Sequence, residues 1–170
     1  MVTVRALNVL FTLSSFTGLA LSIYAFIVEQ AAEKDANYKA MCDINEFVSC
    51  TTVFKSEYAT GFGLASKFLG KDSFFNKPNS LFGMAFYSLL IVFAQVDSKP
   101  FAILNLIFST LSVWLSVYLA YLLVFVIRSL CVICAGTYLV NIINFASSYY
   151  KFKKLSAPPA KVQKSKKKKA

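Results

Sequence analysis

Four cysteines are the residues of this chain best suited to chemistry, and they come as two pairs. Cys131 and Cys134 form a Cys-x-x-Cys motif at the start of an apolar run, and Cys42 and Cys50 lie upstream. Two thiols three residues apart on a helix share one face, and the partial positive charge at a helix N-terminus favours the thiolate. The spacing therefore predicts a redox-active pair at Cys131 and Cys134.

Two other uses of these cysteines compete with redox exchange. A zinc site built from all four is one alternative, although the Cys42–Cys50 spacing is wide for it and we predict no metal. A purely structural disulfide set is the other, but a bridge across three helical residues closes too short a loop to stabilise much. The chain contains no histidine, which removes the commonest general base near neutral pH.

The composition predicts a membrane protein. Hydrophobic residues make up 57% of the 170 residues and charged residues only 15%, whereas about a quarter of an ordinary soluble domain is charged. The net charge of +10 is concentrated in residues 151–170, which hold nine of the eighteen basic residues and no acid. The charge thus belongs to a tail, and we predict no nucleic-acid partner.

Four apolar runs of roughly bilayer-crossing length predict an all-α integral membrane protein, a four-transmembrane-helix bundle. The predicted helices cover about residues 6–28, 80–96, 101–127 and 130–150. Residues 1–150 would form the catalytic membrane domain, and residues 151–170 a cytosolic lysine-rich tail. The second half of the long loop 29–79 alternates phenylalanines with lysines, which is typical of an amphipathic cap at the membrane interface.

Positively charged flanks predict the orientation of the bundle. The lysines after Tyr150, together with Arg5, place both termini in the cytosol, and four crossings then put loop 29–79 in the lumen. All four cysteines would lie on the lumenal side, where disulfides persist. The terminal "KKKA" has the form of a di-lysine retrieval signal, which predicts the endoplasmic reticulum membrane.

The second cysteine pair completes a predicted relay. A dithiol that acts at the membrane surface must be reduced again after each turnover, and exchange through mixed disulfides allows this. Cys42 and Cys50 would take electrons from a soluble dithiol protein and pass them to Cys131. Because the sequence has no haem, flavin or nucleotide motif, we expect no permanently bound cofactor and predict a lipid-soluble quinone as the electron acceptor.

At these residues the sequence resembles the vitamin K epoxide reductase family. The matching stretches are "YKAMCDINEFVSCTTVF", "GFGL", "NKPNSLFGMAFY" and "CVICAGTY". The resemblance implies thiol-dependent reduction of vitamin K 2,3-epoxide to the quinone and of the quinone to the hydroquinone. It also implies that a lumenal thioredoxin-like protein delivers electrons to Cys42. Cys50 would exchange with Cys131, and Cys134 would be the thiolate that meets the substrate.

The resemblance further implies how the substrate is held. Asn79 and Tyr138 would donate hydrogen bonds to its two oxygens, and Phe54 and Phe86 would line the naphthoquinone pocket. It also makes 4-hydroxycoumarin anticoagulants of the warfarin type candidate ligands. The sequence departs from the family pattern near this region, with "KSEYAT" before "GFGL" in place of a more basic, tryptophan-containing segment and Leu139 in place of alanine.

The same parts could also carry electrons in the opposite direction. A quinone-dependent membrane oxidase that forms disulfides in a partner protein would need the same four helices and two cysteine pairs. The direction of flow depends on the reduction potentials of the partners. Reductase and oxidase therefore both remain open from the residues alone.

Overall fold

The computed structural model describes residues 3–35, 37–45, 47–65, 70 and 73–157. Within these ranges the regular structure is helical, and three isolated backbone bridges are the strand-like pairing. The helices are, in chain order, α1 (Val4–Lys34), α2 (Cys50–Phe54), α3 (Asn79–Ala94), α4 (Lys99–Tyr121) and α5 (Val132–Ser156). A π-helical turn, Leu122–Ile127, extends α4, and two 3-10 turns, Glu57–Ala59 and Gly61–Gly63, follow α2.

The predicted all-helical architecture is confirmed and is consistent with a membrane protein, and the helix bounds differ from the predicted ones in detail. Three of the described helical segments are long and apolar enough to cross a membrane: Val4–Lys34, Lys99–Ile127 and Val132–Ser156. α3 has 16 residues, or about 24 Å of helix, whereas a bilayer core is about 30 Å thick. The count of four crossings therefore stays a prediction.

α1 lies at the centre of the bundle, in contact with both α3 and α5, while α4 packs mainly on α5. Gly18 explains the close approach of α1 and α3, because a Cβ atom at this position would overlap the ring of Tyr87. Tyr87 is buried in a cluster with Phe11 and Leu90. Small residues at such crossings let helices approach closely in a membrane, where lipid supplies no hydrophobic drive for association.

Hydrogen bonds between small polar side chains join the middle of α5 to its neighbours. The Asn144 amide donates to the Ser15 hydroxyl at 3.2 Å, and the Ser14 hydroxyl donates to the Asn144 carbonyl oxygen. On the other side, the hydroxyls of Ser109 and Ser148 lie 3.3 Å apart. All five side chains are buried. Paired in this way, polar groups inside the bundle hold helices together instead of destabilising it.

At the end of the bundle opposite the cysteines, Lys151 is buried and closes the C-terminus of α3. Its ammonium donates to the carbonyls of Ala94 and Val96 at 3.2 and 3.3 Å and pairs with Asp97 at 3.0 Å. The Asn8 amide also donates to Asp97, at 2.7 Å. These two donors, Asn8 first, hold the pKa of Asp97 below its ordinary value. Side chains of α1 and α5 thus meet at the end of the short helix α3.

One predicted feature lies partly outside the described residues, and another lies wholly outside them. The proposed amphipathic cap includes residues 66–69 and 71–72, and the tail 158–170 carries the "KKKA" sequence. Of the described part of the cap, Phe74 and Phe75 are exposed. The cap and the retrieval signal stay predictions. The predicted boundary at residue 150 lies within α5, which continues to Ser156.

Candidate active site

The outer cysteine pair is joined by a disulfide between Cys42 and Cys50, whose Cα atoms are 5.9 Å apart. Cys50 is the first residue of α2 and is fully buried, whereas Cys42 is partly exposed. The Ser49 side chain caps α2 by accepting a hydrogen bond from the Thr52 amide at 3.1 Å. The disulfide thus has one sulfur near the surface and one in the interior.

Asp43 holds the loop that carries this disulfide. Its carboxylate accepts hydrogen bonds from the Thr51 hydroxyl at 2.6 Å, from the Thr51 amide at 3.0 Å and from the Ser49 hydroxyl at 3.0 Å. The Ala40 amide donates a further bond at 3.0 Å. Burial alone would raise the pKa of Asp43, but the bonds from Thr51, Ser49 and Ala40 together lower it. Asp43 is therefore a charged anchor for residues 40–51.

Backbone pairing brings this loop to the start of α5. Arg128 adopts a left-handed conformation (φ 56°) at the end of the π-helical turn and reverses the chain. The Leu130 amide then donates to the Phe47 carbonyl at 2.7 Å, and the Ser49 amide donates to the Leu130 carbonyl at 3.0 Å. These two bonds place α2 beside the N-terminus of α5, across 81 residues of sequence between Cys50 and Cys131.

The inner pair, Cys131 and Cys134, is reduced. Cys131 is the N-cap residue of α5, and its sulfur accepts a hydrogen bond from the Cys134 amide at 3.2 Å. The Cys134 thiol, followed by the amides of Cys134 and Ile133, lowers the pKa of Cys131 against the effect of burial. The expected thiolate-favouring helix N-terminus therefore acts on the first cysteine of the motif, which is 1% exposed.

The two pairs meet at a single sulfur–sulfur contact. The sulfurs of Cys50 and Cys131 are 3.7 Å apart, and both residues are buried against Val28, Val53 and Leu123. Disulfide exchange requires a thiolate to approach a disulfide sulfur, and this contact places a free cysteine beside a disulfide sulfur. A zinc site of four thiolates would need all four cysteines reduced, whereas Cys42 and Cys50 are bonded to each other.

Cys134 faces a cavity of about 400 Å³ that lies among α1, α3, α4 and α5. Pockets for small organic ligands span about 300–1,000 Å³ and are mostly apolar. The wall of this cavity contains every residue predicted to bind the substrate or meet it: Phe54, Asn79, Phe86, Cys134 and Tyr138. The structure therefore brings together one reactive thiol, two polar side chains and two aromatic rings that the sequence separates by up to 84 residues.

Asn79 has a structural task that the sequence did not reveal. Its amide nitrogen donates to the Tyr58 carbonyl at 2.7 Å, and its carbonyl oxygen accepts from the Phe62 amide at 2.8 Å. Phe62 needs this support because its backbone is left-handed (φ 57°), a conformation that costs a bulky residue free energy. A side-chain amide has two N–H groups, so one remains for a ligand in the cavity.

Tyr138 and Asn141 follow Cys134 along the same wall of the cavity. The Tyr138 hydroxyl makes no hydrogen bond to any of the residues that the structure describes. Asn141 accepts from the Tyr87 hydroxyl and donates to the Ser116 hydroxyl, both at 2.9 Å. Tyr138 is thus the hydroxyl with free hydrogen-bonding capacity, while Asn141 is committed to holding three helices together.

Sequence reasoning missed an acid in this cavity. Glu29 was expected at the start of a lumenal loop, but it lies within α1, is 8% exposed and lines the cavity wall. The Ser80 hydroxyl of α3 donates a hydrogen bond to its carboxyl group. Ser22 and Ala25 line the same wall, and the spacing of 22, 25 and 29 is that of one helix face. This periodicity was the signal that could have placed Glu29 inside.

Residues 9–149 match the sequence model of the vitamin K epoxide reductase family. The chain belongs to the vitamin K epoxide reductase family. Vitamin K epoxide reductase complex subunit 1 of Mus musculus is 43% identical over 125 residues, which cover 74% of this chain and 78% of the mouse protein. The protein of the same name from Rattus norvegicus is 40% identical over 124 residues, 73% of this chain and 77% of the rat protein.

This result confirms the predicted family and the predicted enzyme class, an oxidoreductase. The matched range contains all four cysteines and every residue predicted to bind substrate. The three membrane-length helices agree with a multi-pass membrane member of the vitamin K epoxide reductase family.

Proposed function

We propose that this chain reduces vitamin K 2,3-epoxide to the quinone, and the quinone to the hydroquinone, in the endoplasmic reticulum membrane. Electrons come from a lumenal thioredoxin-like protein and pass through Cys42 and Cys50 to Cys131 and Cys134. The observation that carries the proposal is the continuous row of sulfurs, from the partly exposed Cys42 through the 3.7 Å contact of Cys50 and Cys131 to Cys134 at the cavity. Family membership and the names of the mouse and rat relatives support the choice of substrate.

The relay balances as two successive exchanges. The partner protein first reduces the outer disulfide, giving thiols at Cys42 and Cys50. The Cys50 thiolate attacks the Cys131 sulfur of an oxidised inner pair, forms a Cys50–Cys131 bond and releases Cys134. Cys42 then attacks Cys50, which restores the outer disulfide and releases Cys131. The end state, with the outer pair bonded and the inner pair free, is the state of the structure.

The substrate step uses the two electrons and two protons of the inner pair. When Cys131 and Cys134 become a disulfide, the epoxide oxygen leaves as water, or the quinone takes both protons and becomes the hydroquinone. Cys134 meets the ring because it lines the cavity, and Cys131 resolves the reaction from behind it. The free N–H of Asn79 and the hydroxyl of Tyr138 stabilise negative charge that develops on the substrate oxygens.

The remaining parts of the cavity and the flanks complete the proposal. Phe54 and Phe86 pack against the ring system, and 4-hydroxycoumarin anticoagulants are candidate ligands of the same cavity.

The chain crosses the membrane four times with both termini in the cytosol, and its cysteine end faces the lumen. Support comes from the lysines at the far end of α5. Modification of Lys39 by an impermeant reagent, in sealed vesicles with the lumenal side outward, checks this orientation.

The relay is tested with two reductants and one variant. Purified wild-type protein should turn over vitamin K epoxide with dithiothreitol. Cys50→Ala should retain that activity, because a small dithiol reaches Cys134 through the cavity, but should lose activity with a thioredoxin-like protein as reductant. Equal loss with both reductants would refute the relay. Absence of turnover by the wild-type protein under both conditions would refute the substrate assignment itself.

The oxidase alternative gives a different result in the same preparation. A quinone-dependent oxidase would form disulfides in a reduced thioredoxin-like protein when quinone is added, and would leave the epoxide unchanged. Both reactions are followed by chromatography of the quinone species and by thiol titration. The reduction potentials of the partners decide the direction of electron flow.

A further inference from the structure

Glu29 and Ser80 form a polar pair in the wall of the otherwise mostly apolar cavity. Glu29 comes from α1 and Ser80 from the first turn of α3, next to Asn79, and all three side chains line the cavity. Both members of the pair are 8% exposed. Cys134 of α5 lines the same cavity. A carboxyl group and the thiol of Cys134 therefore share the surface that the substrate would touch.

The surroundings of Glu29 favour an uncharged carboxylic acid. The Ser80 hydroxyl is its hydrogen-bond partner, and no lysine or arginine forms an ion pair with it among the residues that the structure describes. Removing a lone carboxylate from water is costly unless a cation or several donors compensate, whereas the neutral acid meets one hydroxyl without that cost. Asp43, with four donors, is the opposite case in the same protein.

We propose that Glu29 is the proton donor to the substrate oxygen, and that Ser80 is the residue that positions it. The inference rests on the proposed function. As Cys134 and Cys131 form their disulfide and the ring accepts two electrons, the Glu29 acid transfers its proton to the oxygen that becomes a hydroxyl group or leaves as water. The remaining carboxylate accepts the Ser80 hydrogen bond. A proton released by the thiols restores the acid, so two thiols still supply two electrons and two protons.

The other ionisable groups near Glu29 are few. Glu33 follows four residues later on the same helix, and Cys134 of α5 lines the same cavity as Glu29. The phenols of Tyr58, Tyr87 and Tyr138 share the cavity wall, and Tyr87 is committed to Asn141. Among these, a carboxylic acid is the strongest proton donor near neutral pH. Glu29 is therefore the group best suited to protonate an oxygen in this cavity.

Glu29→Gln tests the proton donor because glutamine keeps the size of the side chain and can still accept from Ser80. With dithiothreitol and vitamin K epoxide, we expect kcat to fall about 10²-fold while KM stays within about twofold. The decline of wild-type activity as pH rises through the titration of the acid should be absent from the variant. The matched control is Glu33→Gln, an exposed acid one turn away, which should keep wild-type kinetics.

Two further measurements separate proton donation from a structural role. The rate at which an uncharged maleimide alkylates Cys134 should stay within about twofold of wild type in Glu29→Gln, because the thiol is untouched. Ser80→Ala should lower kcat less than Glu29→Gln and keep the pH-dependent decline. Turnover by Glu29→Gln within about twofold of wild type, or a parallel loss of alkylation, would overturn the inference while the proposed function stood. Failure of the wild type to turn over would instead remove the proposed function.

Discussion

The two ends of α5 use polar side chains in opposite ways. At the cysteine end, Cys134 and Tyr138 face a cavity, and the Tyr138 hydroxyl has no hydrogen-bond partner among the described residues. At the other end, Lys151 is buried, donates to the carbonyls of Ala94 and Val96 and pairs with Asp97. The residues at both ends belong to the same helix, α5. At these two ends of α5, an unpaired hydroxyl lies where the substrate is proposed to bind, and a paired ammonium lies where helices pack.

The largest effect is expected at the cavity end. Cys134→Ala should reduce epoxide turnover to the rate measured without protein, because the variant has no thiol at the cavity wall and the inner disulfide cannot form. The measurement is quinone production with dithiothreitol. Val132→Ala, at an exposed position two residues earlier, is the control and should remain active. Turnover that survives in Cys134→Ala would show that the cavity is not where the sulfur acts.

Tyr138→Phe should have the next largest effect. Removing one hydrogen-bond donor to developing negative charge typically costs about 10²-fold in kcat, and the ring that shapes the cavity is retained. Stability in detergent should not change, because the hydroxyl holds no other described residue. Tyr149→Phe, an exposed tyrosine far from the cavity, provides the comparison. If both variants retain wild-type kcat, the unpaired hydroxyl serves no chemical purpose.

Lys151→Met should give the reverse pattern, with stability lost and chemistry kept. The change leaves the carbonyls of Ala94 and Val96 without their donor, which we expect to cost about 1–3 kcal/mol. Asp97 is 55% exposed, so its charge stays solvated and adds little. Unfolding in mixed detergent micelles measures the loss, with the exposed Lys153→Met as control. A fall in kcat per folded molecule would contradict the division between the two ends.

The smallest effects are expected at two buried hydroxyls, those of Ser147 in α5 and Ser15 in α1. The Ser147 hydroxyl is buried without a hydrogen-bond partner among the described residues, so Ser147→Ala should stabilise the protein or leave it unchanged, within about 1 kcal/mol. Ser15→Ala removes a hydroxyl that accepts from Asn144 and should instead destabilise it by about 1 kcal/mol. Each variant removes one buried hydroxyl, and only the Ser15 hydroxyl has a partner. Equal effects in the same micelle assay would mean that pairing is not what stabilises this region.

Much of the architecture could be predicted because apolar length and cysteine spacing are local properties. The end of α1 was placed too early, at residue 28, because Glu29 was read as the start of a solvated loop. Residues 29–34, "EQAAEK", are good helix formers, and α1 ends only at Lys34. Glu29 was predicted to lie in a loop because a lone acid normally avoids an apolar interior. Its burial is unusual for the same reason.

The long-range features could not be predicted from local patterns. The contact between Cys50 and Cys131 depends on two backbone hydrogen bonds between the Ser49 region and Leu130, which no spacing rule reveals. The two hydrogen bonds from the Asn79 side chain to the Tyr58 and Phe62 backbones likewise depend on how the loop folds back. Helical periodicity alone does place Cys134, Tyr138 and Asn141 on one face, and all three line the cavity.

The near-complete burial of Cys50 and Cys131 has a consequence for the cell. Cys50 is 0% exposed and Cys131 is 1% exposed, so the contact between the two cysteine pairs is shielded from water. A hydrophilic thiol therefore cannot reach these two sulfurs from water. In the proposed relay, a protein donor would react at the partly exposed Cys42, and the surface around that sulfur would set which donor is accepted.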